Sequence, residues 1–286
     1  RDTVIYSVGT FSSKLAGFVL VPLYTNKQYL SGNDYGVLNL VEANLQIIIS
    51  VFGLGLSYAF ERWYWDKEKI ARRNSIFFTI LFSTTCIAIA LILITVPLAG
   101  PLSDLLFNSI SYRDVFSLMV INAGLEIIAQ TPTTLIRLRE RPKLFTIANI
   151  IKLVVSVTLT VIFIVQFQAG LKGVYYAQII SVLVYFVVLA PFILRHIRLR
   201  FEWHEMGQMV RFRFPFLLPV IALNVFAFND RFVISNMTGM VEAGIYSLGL
   251  KLANTIKVFV ITAIWLALTP TIYKMMNDPN NKRFYS

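Results

Sequence analysis

Eight ionisable side chains stand inside stretches that are otherwise apolar: Lys14, Glu42, Glu126, Lys152, Asp230, Arg231, Lys251 and Lys257. A charge at mid-membrane costs about 2.5–3.5 kcal/mol or more, so such residues are kept for pairing with one another or for handling a charged cargo. Five cations stand against three acids, and with every acid paired two positive charges remain. That balance suits an anion, phosphate above all. All five cations, Lys14, Lys152, Arg231, Lys251 and Lys257, are phosphate-neutralising candidates. Glu42, Glu126 and Asp230 are expected to pair with them or to carry a coupling ion. Asp230 and Lys251 are at similar depth and placed to bridge, whereas Arg231 lies about 100° round the helix from Asp230 and looks elsewhere.

Uncharged polar residues recur around these charges in steps of three or four. One stripe reads Ser7, Thr10, Lys14, Gly17; a second Asn39, Glu42, Gln46, Ser50, Gly53, Ser57; a third Asn122, Glu126, Gln130, Thr133. Asn149, Lys152, Ser156, Thr160 and Ser247, Lys251, Asn254, Thr255 repeat the pattern. On a helix each stripe is one side, which must face protein or water rather than lipid. It serves either as interhelical hydrogen bonding or as the lining of a wet path.

Other chemistry is thinly provided for. Cys86 is the lone cysteine, so there is neither a disulfide framework nor a paired-cysteine metal site. His196 and His204 share one basic connection without the partners of a zinc site or a catalytic triad. Gly53-Leu54-Gly55 lacks the Lys and Ser or Thr of a nucleotide loop. No cofactor is expected.

The elements that carry the stripes are membrane spans. Only 14% of the 286 residues are charged, against about 25% in a soluble domain, and the mean hydropathy is +0.68. Apolar runs predict an all-α polytopic membrane protein with eight spans, at 3–25, 34–61, 74–97, 114–137, 143–167, 172–195, 210–236 and 242–273. Lys and Arg crowd alternate connections: Arg62, Lys67, Lys69, Arg72 and Arg73; then Arg137, Arg139, Arg141 and Lys143; then Arg195, Arg198, Arg200, Arg211 and Arg213. The intervening connections hold Lys27, Arg113, Lys172 and none. By this asymmetry the N-terminus and the basic loops are cytoplasmic. The net charge of +11 thus reports topology rather than nucleic-acid binding. Segment 196–208, with Arg198, Arg200, Phe201 and Trp203, reads either as lying on the inner membrane surface or as a plain linker.

Aligned to itself at an offset of 208, the chain matches Asp34-Tyr35-Gly36-Val37 with Glu242-Ala243-Gly244-Ile245, and Leu40 with Leu248. The match falls six spans apart, the even number that a parallel repeat requires. Residues 1–200 then form a six-helix lobe, and 201–286 the first two helices of a second, incomplete one.

Several segments carry a family likeness: Asp2-Thr3 opening span one and Pro22-Leu23-Tyr24-Thr25 closing it, Leu30 through Gly36, Pro215-Phe216-Leu217-Leu218-Pro219, Asp230-Arg231, Ala243 through Ser247, Lys251-Leu252 and Pro270. Together they resemble the polysaccharide biosynthesis (Wzx-like) branch of the multidrug/oligosaccharidyl-lipid/polysaccharide (MOP) flippase superfamily. The resemblance implies a MATE/MOP-like pair of six-helix bundles around a central cavity, in a bacterial or archaeal cytoplasmic membrane. It implies a flippase that moves undecaprenyl-pyrophosphate-linked oligosaccharide from the cytoplasmic to the outer leaflet by alternating access. Lys14, Arg231 and Lys251 match the family's cationic cavity residues. The implied partners are that glycan lipid, membrane lipids, and the polymerase and glycosyltransferases of the pathway. Members usually have 12 or 14 spans, so this chain reads as a fragment.

Rival readings are a lipid II flippase, which shares the anionic cargo, and a MATE-type cation or drug antiporter, which would want an acidic cavity. A membrane-embedded glycosyltransferase or polymerase needs larger outer loops than those at 26–33, 168–172 and 237–241, so an enzyme is not expected. Prolines 215 and 219 are expected to let span seven bend between states.

Overall fold

A computed structural model describes residues 19–26, 28–107 and 109–257. Their elements are α1 (Val21–Thr25), α2 (Gly32–Phe52), α3 (Leu56–Trp65), a 3-10 turn (Lys67–Arg72), α4 (Arg73–Thr95), α5 (Ala99–Phe107), α6 (Arg113–Leu138), α7 (Pro142–Val161), α8 (Gly170–His196), α9 (Trp203–Met237) and α10 (Met240–Lys257). Among the described residues there is no strand, and six helical stretches are long and apolar enough to cross a membrane. The expected span one lies almost wholly outside the described residues, and span eight is described as far as Lys257.

The sequence expectation of one unbroken span over 34–61 is corrected. α2 begins with a capping box, in which Ser31 Oγ accepts from the Asp34 N–H (3.1 Å) and Asp34 Oδ2 accepts from the Ser31 N–H (3.2 Å). It ends at Phe52, because Leu54 (φ 50°) and Gly55 (φ 59°) take the left-handed conformation, and the chain restarts as α3. Glycine at 55 makes that turn cheap. Irregular backbone at membrane depth survives only where protein or a wet cavity satisfies its freed polar groups.

α6 is the hub, packed by α2, α3, α4, α5 and α8, while α7 lies along α8. Between helices in lipid the drive is close packing rather than the hydrophobic effect. Phe60, Trp63, Phe77, Ile80, Leu135 and Met209 interlock α3, α4, α6 and α9 at the end that carries the basic connections. Ala129, Ile136, Phe145, Ala148, Val182 and Tyr185 do so for α6, α7 and α8.

α9 runs 35 residues without interruption through Pro215 and Pro219. At about 1.5 Å per residue it is about 52 Å long, well beyond a hydrocarbon core of about 30 Å. Its first turns stand at the basic end, tied down by Lys69 Nζ to Glu205 (2.7 Å), Trp63 Nε1 donating to Glu205 (2.9 Å), and the Glu202 N–H donating to Thr79 Oγ1 (2.9 Å). α9, expected to open the second lobe, packs against α2, α3 and α4.

The two glycines matched by the internal repeat meet. A Cβ on Gly36 would collide with the backbone carbonyl of Met240, and one on Gly244 would stand 3.2 Å from the Gly36 nitrogen. Only glycine lets these two helix starts cross so closely. The chain divides into two compact units, Arg1–Gly244 and Ile245–Ser286, of which the second is described as the remainder of α10.

Candidate functional site

The stripes do not all reach one place. Their halves nearest the basic end converge on a cavity of 370 Å³ between α2, α3, α6 and α9. α2 supplies Gln46 and Ser50; past the break come Gly55, Ser57, Tyr58 and Glu61. α6 adds Gln130, Thr133, Thr134 and Arg137, and α9 adds Arg213, Leu217, Val220 and Asn224. The volume is within the range of small-molecule pockets, about 300–1,000 Å³.

Two guanidiniums face this space. Arg213 lies over the rings of Tyr58 (5.0 Å) and Phe216 (5.4 Å), which fix its plane. Among the described residues no carboxylate lies within 4.0 Å of it, and its buried Nε has no hydrogen-bond partner. Gly55 is what admits it: a Cβ there would sit 2.6 Å from Nε and 2.9 Å from Cζ. Arg137, 48% exposed, bonds Glu61 (3.1 Å) and Thr134 (3.2 Å). Glu61 is the one acid on the described lining. Gly55, Ser57 and Tyr58 bring the positive end of the α3 dipole to the same wall. Chemically this is a site for an anion with polar groups beside it.

The upper halves of the stripes turn into the lobe. Lys152 of α7 contacts Glu126 of α6 at 2.5 Å and lies over Tyr185, whose hydroxyl meets Thr133 at 2.6 Å. Its charge is therefore compensated within the lobe, and Lys152 does not line the cavity. Asn122 donates to Gln178 (2.8 Å), and Glu42 is half-buried on α2 and does not line the cavity. Asp230 and Arg231 are half-buried on α9 and do not line the cavity either. Arg231 is 18 residues beyond Arg213, about 27 Å along the axis. Lys251 belongs to the second unit and Asp230 to the first. Lys14 lies outside the described residues, and Lys257 closes α10 with its side chain outside them.

Arg137 and Arg213 were missed by sequence reasoning, which counted them as loop charges that set topology. The signal was there in the spacing. Arg137 continues the α6 stripe one turn past Thr133, and Arg213, Leu217, Val220 and Asn224 make their own steps of three and four.

This fold is shared with solved transporters. A MATE multidrug transporter, DinF-BH, solved as a complex with a small molecule, is 15% identical with a TM-score of 0.76, over 94% of this chain and 63% of that one. A MOP superfamily transporter from Pyrococcus furiosus, described as having a binding pocket of reverse polarity that suggests a different function, is 15% identical with a TM-score of 0.68, over 89% and 59%. An outward-facing MATE family transporter gives 0.70 at 15% identity, over 90% and 60%. The chain thus spans about three fifths of the length of these transporters. Among curated proteins none matches. Over residues 1–276 the sequence matches the family described as Polysaccharide biosynthesis protein, and the chain belongs to that family.

Proposed function

We propose that the protein takes part in carrying a polyprenyl-diphosphate-linked oligosaccharide from the cytoplasmic to the outer leaflet, by alternating access between two lobes. The observation that carries this reading is Arg213, a guanidinium to which no described carboxylate comes within 4.0 Å, held by two rings beside a broken helix in a polar cavity. The diphosphate docks on Arg213, with Arg137 and the α3 N-terminus adding positive potential. Gln46, Ser50, Gln130 and Asn224 bond the sugars, and the lipid tail stays in the bilayer. Discontinuous helices are where membrane carriers place anionic groups. The basic end is the cytoplasmic one, so Arg213 is the loading station.

Arg231, about 27 Å further along α9, receives the diphosphate near the release side; Lys14, Lys251 and Lys257 are proposed as further phosphate-neutralising cations. Glu42, Asp230 and the Glu126–Lys152 pair are proposed as the ion-coupling or structural partners. A cation antiporter is the weaker reading, since the one acid on the described lining, Glu61, is already bound by Arg137. Membership in a polysaccharide biosynthesis family supports a glycan lipid over a drug.

The test is inversion of a fluorescent polyprenyl-diphosphate glycan in proteoliposomes. Arg213→Ala should abolish loading from the inner face, while Arg231→Ala should preserve binding but slow release. Undiminished inversion by Arg213→Ala overturns the reading.

A further inference from the structure

Two further hollows open at the basic end, both outside the cavity, and Arg211 belongs to both. One, of 670 Å³, is a trough along a single face of α9, floored by Met206, Gly207, Val210, Phe214 and Pro215. The other, of 410 Å³, lies between α9 and the end of α3, with Arg62, Trp63, Lys69, Gln208 and Phe212 on its wall. Arg211 and Arg213 are two residues apart, about 200° round the helix, so Arg211 faces away from the cavity that Arg213 serves.

We propose that these joined hollows bind one anionic phospholipid, with its phosphate between Arg62 and Arg211 and one acyl chain in the trough. Charge comes first. Arg62 and Arg211 are both exposed, and among the described residues neither has a carboxylate within 4.0 Å. The Arg62 guanidinium sits over the Phe212 ring (4.4 Å), a contact that uses none of the N–H donors with which it can meet a phosphate oxygen. Asp66 on the same wall is already occupied, accepting from the Glu68 N–H (3.1 Å) and standing 3.8 Å from Lys69. Two cations thus remain for an anion.

Depth comes second. Trp65 and Trp203, both exposed, stand with Arg62, Arg72 and Arg73 at the helix ends that carry the basic connections, the mixture of aromatic and basic side chains found where a protein meets headgroups. Shape comes third. From the phosphate position, Val210, Phe214 and Pro215 lead along α9 into the membrane-spanning part of the helix, as an acyl chain would run. Phe214 is 68% exposed, so the trough is open along that path. A free phosphate would satisfy the arginines but leave the trough empty. A helix from another part of the protein would fill the trough but leave the arginines without an anion.

Native mass spectrometry of the purified protein, titrated with phosphatidylglycerol or phosphatidylcholine of the same acyl chains, tests this. Phosphatidylglycerol should bind about tenfold tighter, because the choline ammonium of the other lipid stands against the two arginines, and the Arg62→Gln, Arg211→Gln double variant should erase that preference. Phe214→Ala, which shortens an exposed side chain on the trough floor, should weaken both lipids. Inorganic phosphate that displaces the lipid, together with no effect of Phe214→Ala, would assign the arginines to a free anion and overturn the lipid site. So would equal binding of the two lipids, or retention of neither, which would leave the trough to another part of the protein.

Discussion

Replacing Gly55 by alanine adds one methyl group at the α2–α3 break and probes the cavity without removing a charge. The backbone there is left-handed at φ 59°, which costs an L-residue about 1–2 kcal/mol. The new Cβ would stand 2.6 Å from Nε and 2.9 Å from Cζ of Arg213, where about 3.5–4.0 Å is comfortable between carbons. Because the obstacle is the end of a flexible side chain, the guanidinium moves by about 1 Å rather than the helices. Stability should fall by only the backbone cost of about 1–2 kcal/mol, whereas misplacing a positioning group by about 1 Å costs up to about 100-fold in rate. The assay is glycan-lipid inversion alongside thermal unfolding in detergent. A double variant with Arg213→Ala should be no worse in transport than Arg213→Ala alone, since no guanidinium is left to displace. Wild-type transport by Gly55→Ala, or fully additive losses in the double variant, would refute the role given to Arg213.

Glu205→Ala removes the 2.7 Å partner of Lys69 and the acceptor of Trp63, and should lower stability by about 3 kcal/mol, read as a fall in unfolding midpoint, with Glu205→Gln losing less. A Gly32→Cys, Val241→Cys pair should form a disulfide, because a Cβ on Gly32 lies 3.5 Å from a Val241 methyl; the bond should halt inversion until reduced, and Gly36→Val should prevent it by forcing the helix starts apart. For the 2.5 Å pair, Glu126→Gln or Lys152→Met alone should destabilise more than the two together, since each single change strands a charge in the lobe; an additive cycle would deny the pairing.

Span existence was legible because a 20-residue apolar run has few other uses, and the polar stripes were legible because helical period survives in lipid. Where a stripe leads was not. The stripe through Asn122, Glu126, Gln130 and Thr133 looks uniform in sequence, yet Glu126 turns to Lys152 while Gln130 and Thr133 face the cavity, a division set by which helices flank α6. Arg137 and Arg213 carried a topology signal strong enough to hide their second use. The break at Gly53–Gly55 was visible as two glycines but sat inside an apolar run, where one continuous helix is the simpler reading. The repeat of Asp34-Tyr35-Gly36 in Glu242-Ala243-Gly244 pointed to symmetry; that the two glycines touch follows only from the crossing.

The account turns on whether Arg213 holds a diphosphate. Binding of a polyprenyl-diphosphate glycan and of its monophosphate counterpart should be compared in wild type and Arg213→Lys, with Arg137 intact. The expected result is a diphosphate preference of about tenfold or more in wild type, largely lost when the bidentate guanidinium becomes a single ammonium. Equal affinity for the two lipids in wild type, or a preference that survives the substitution, would contradict it.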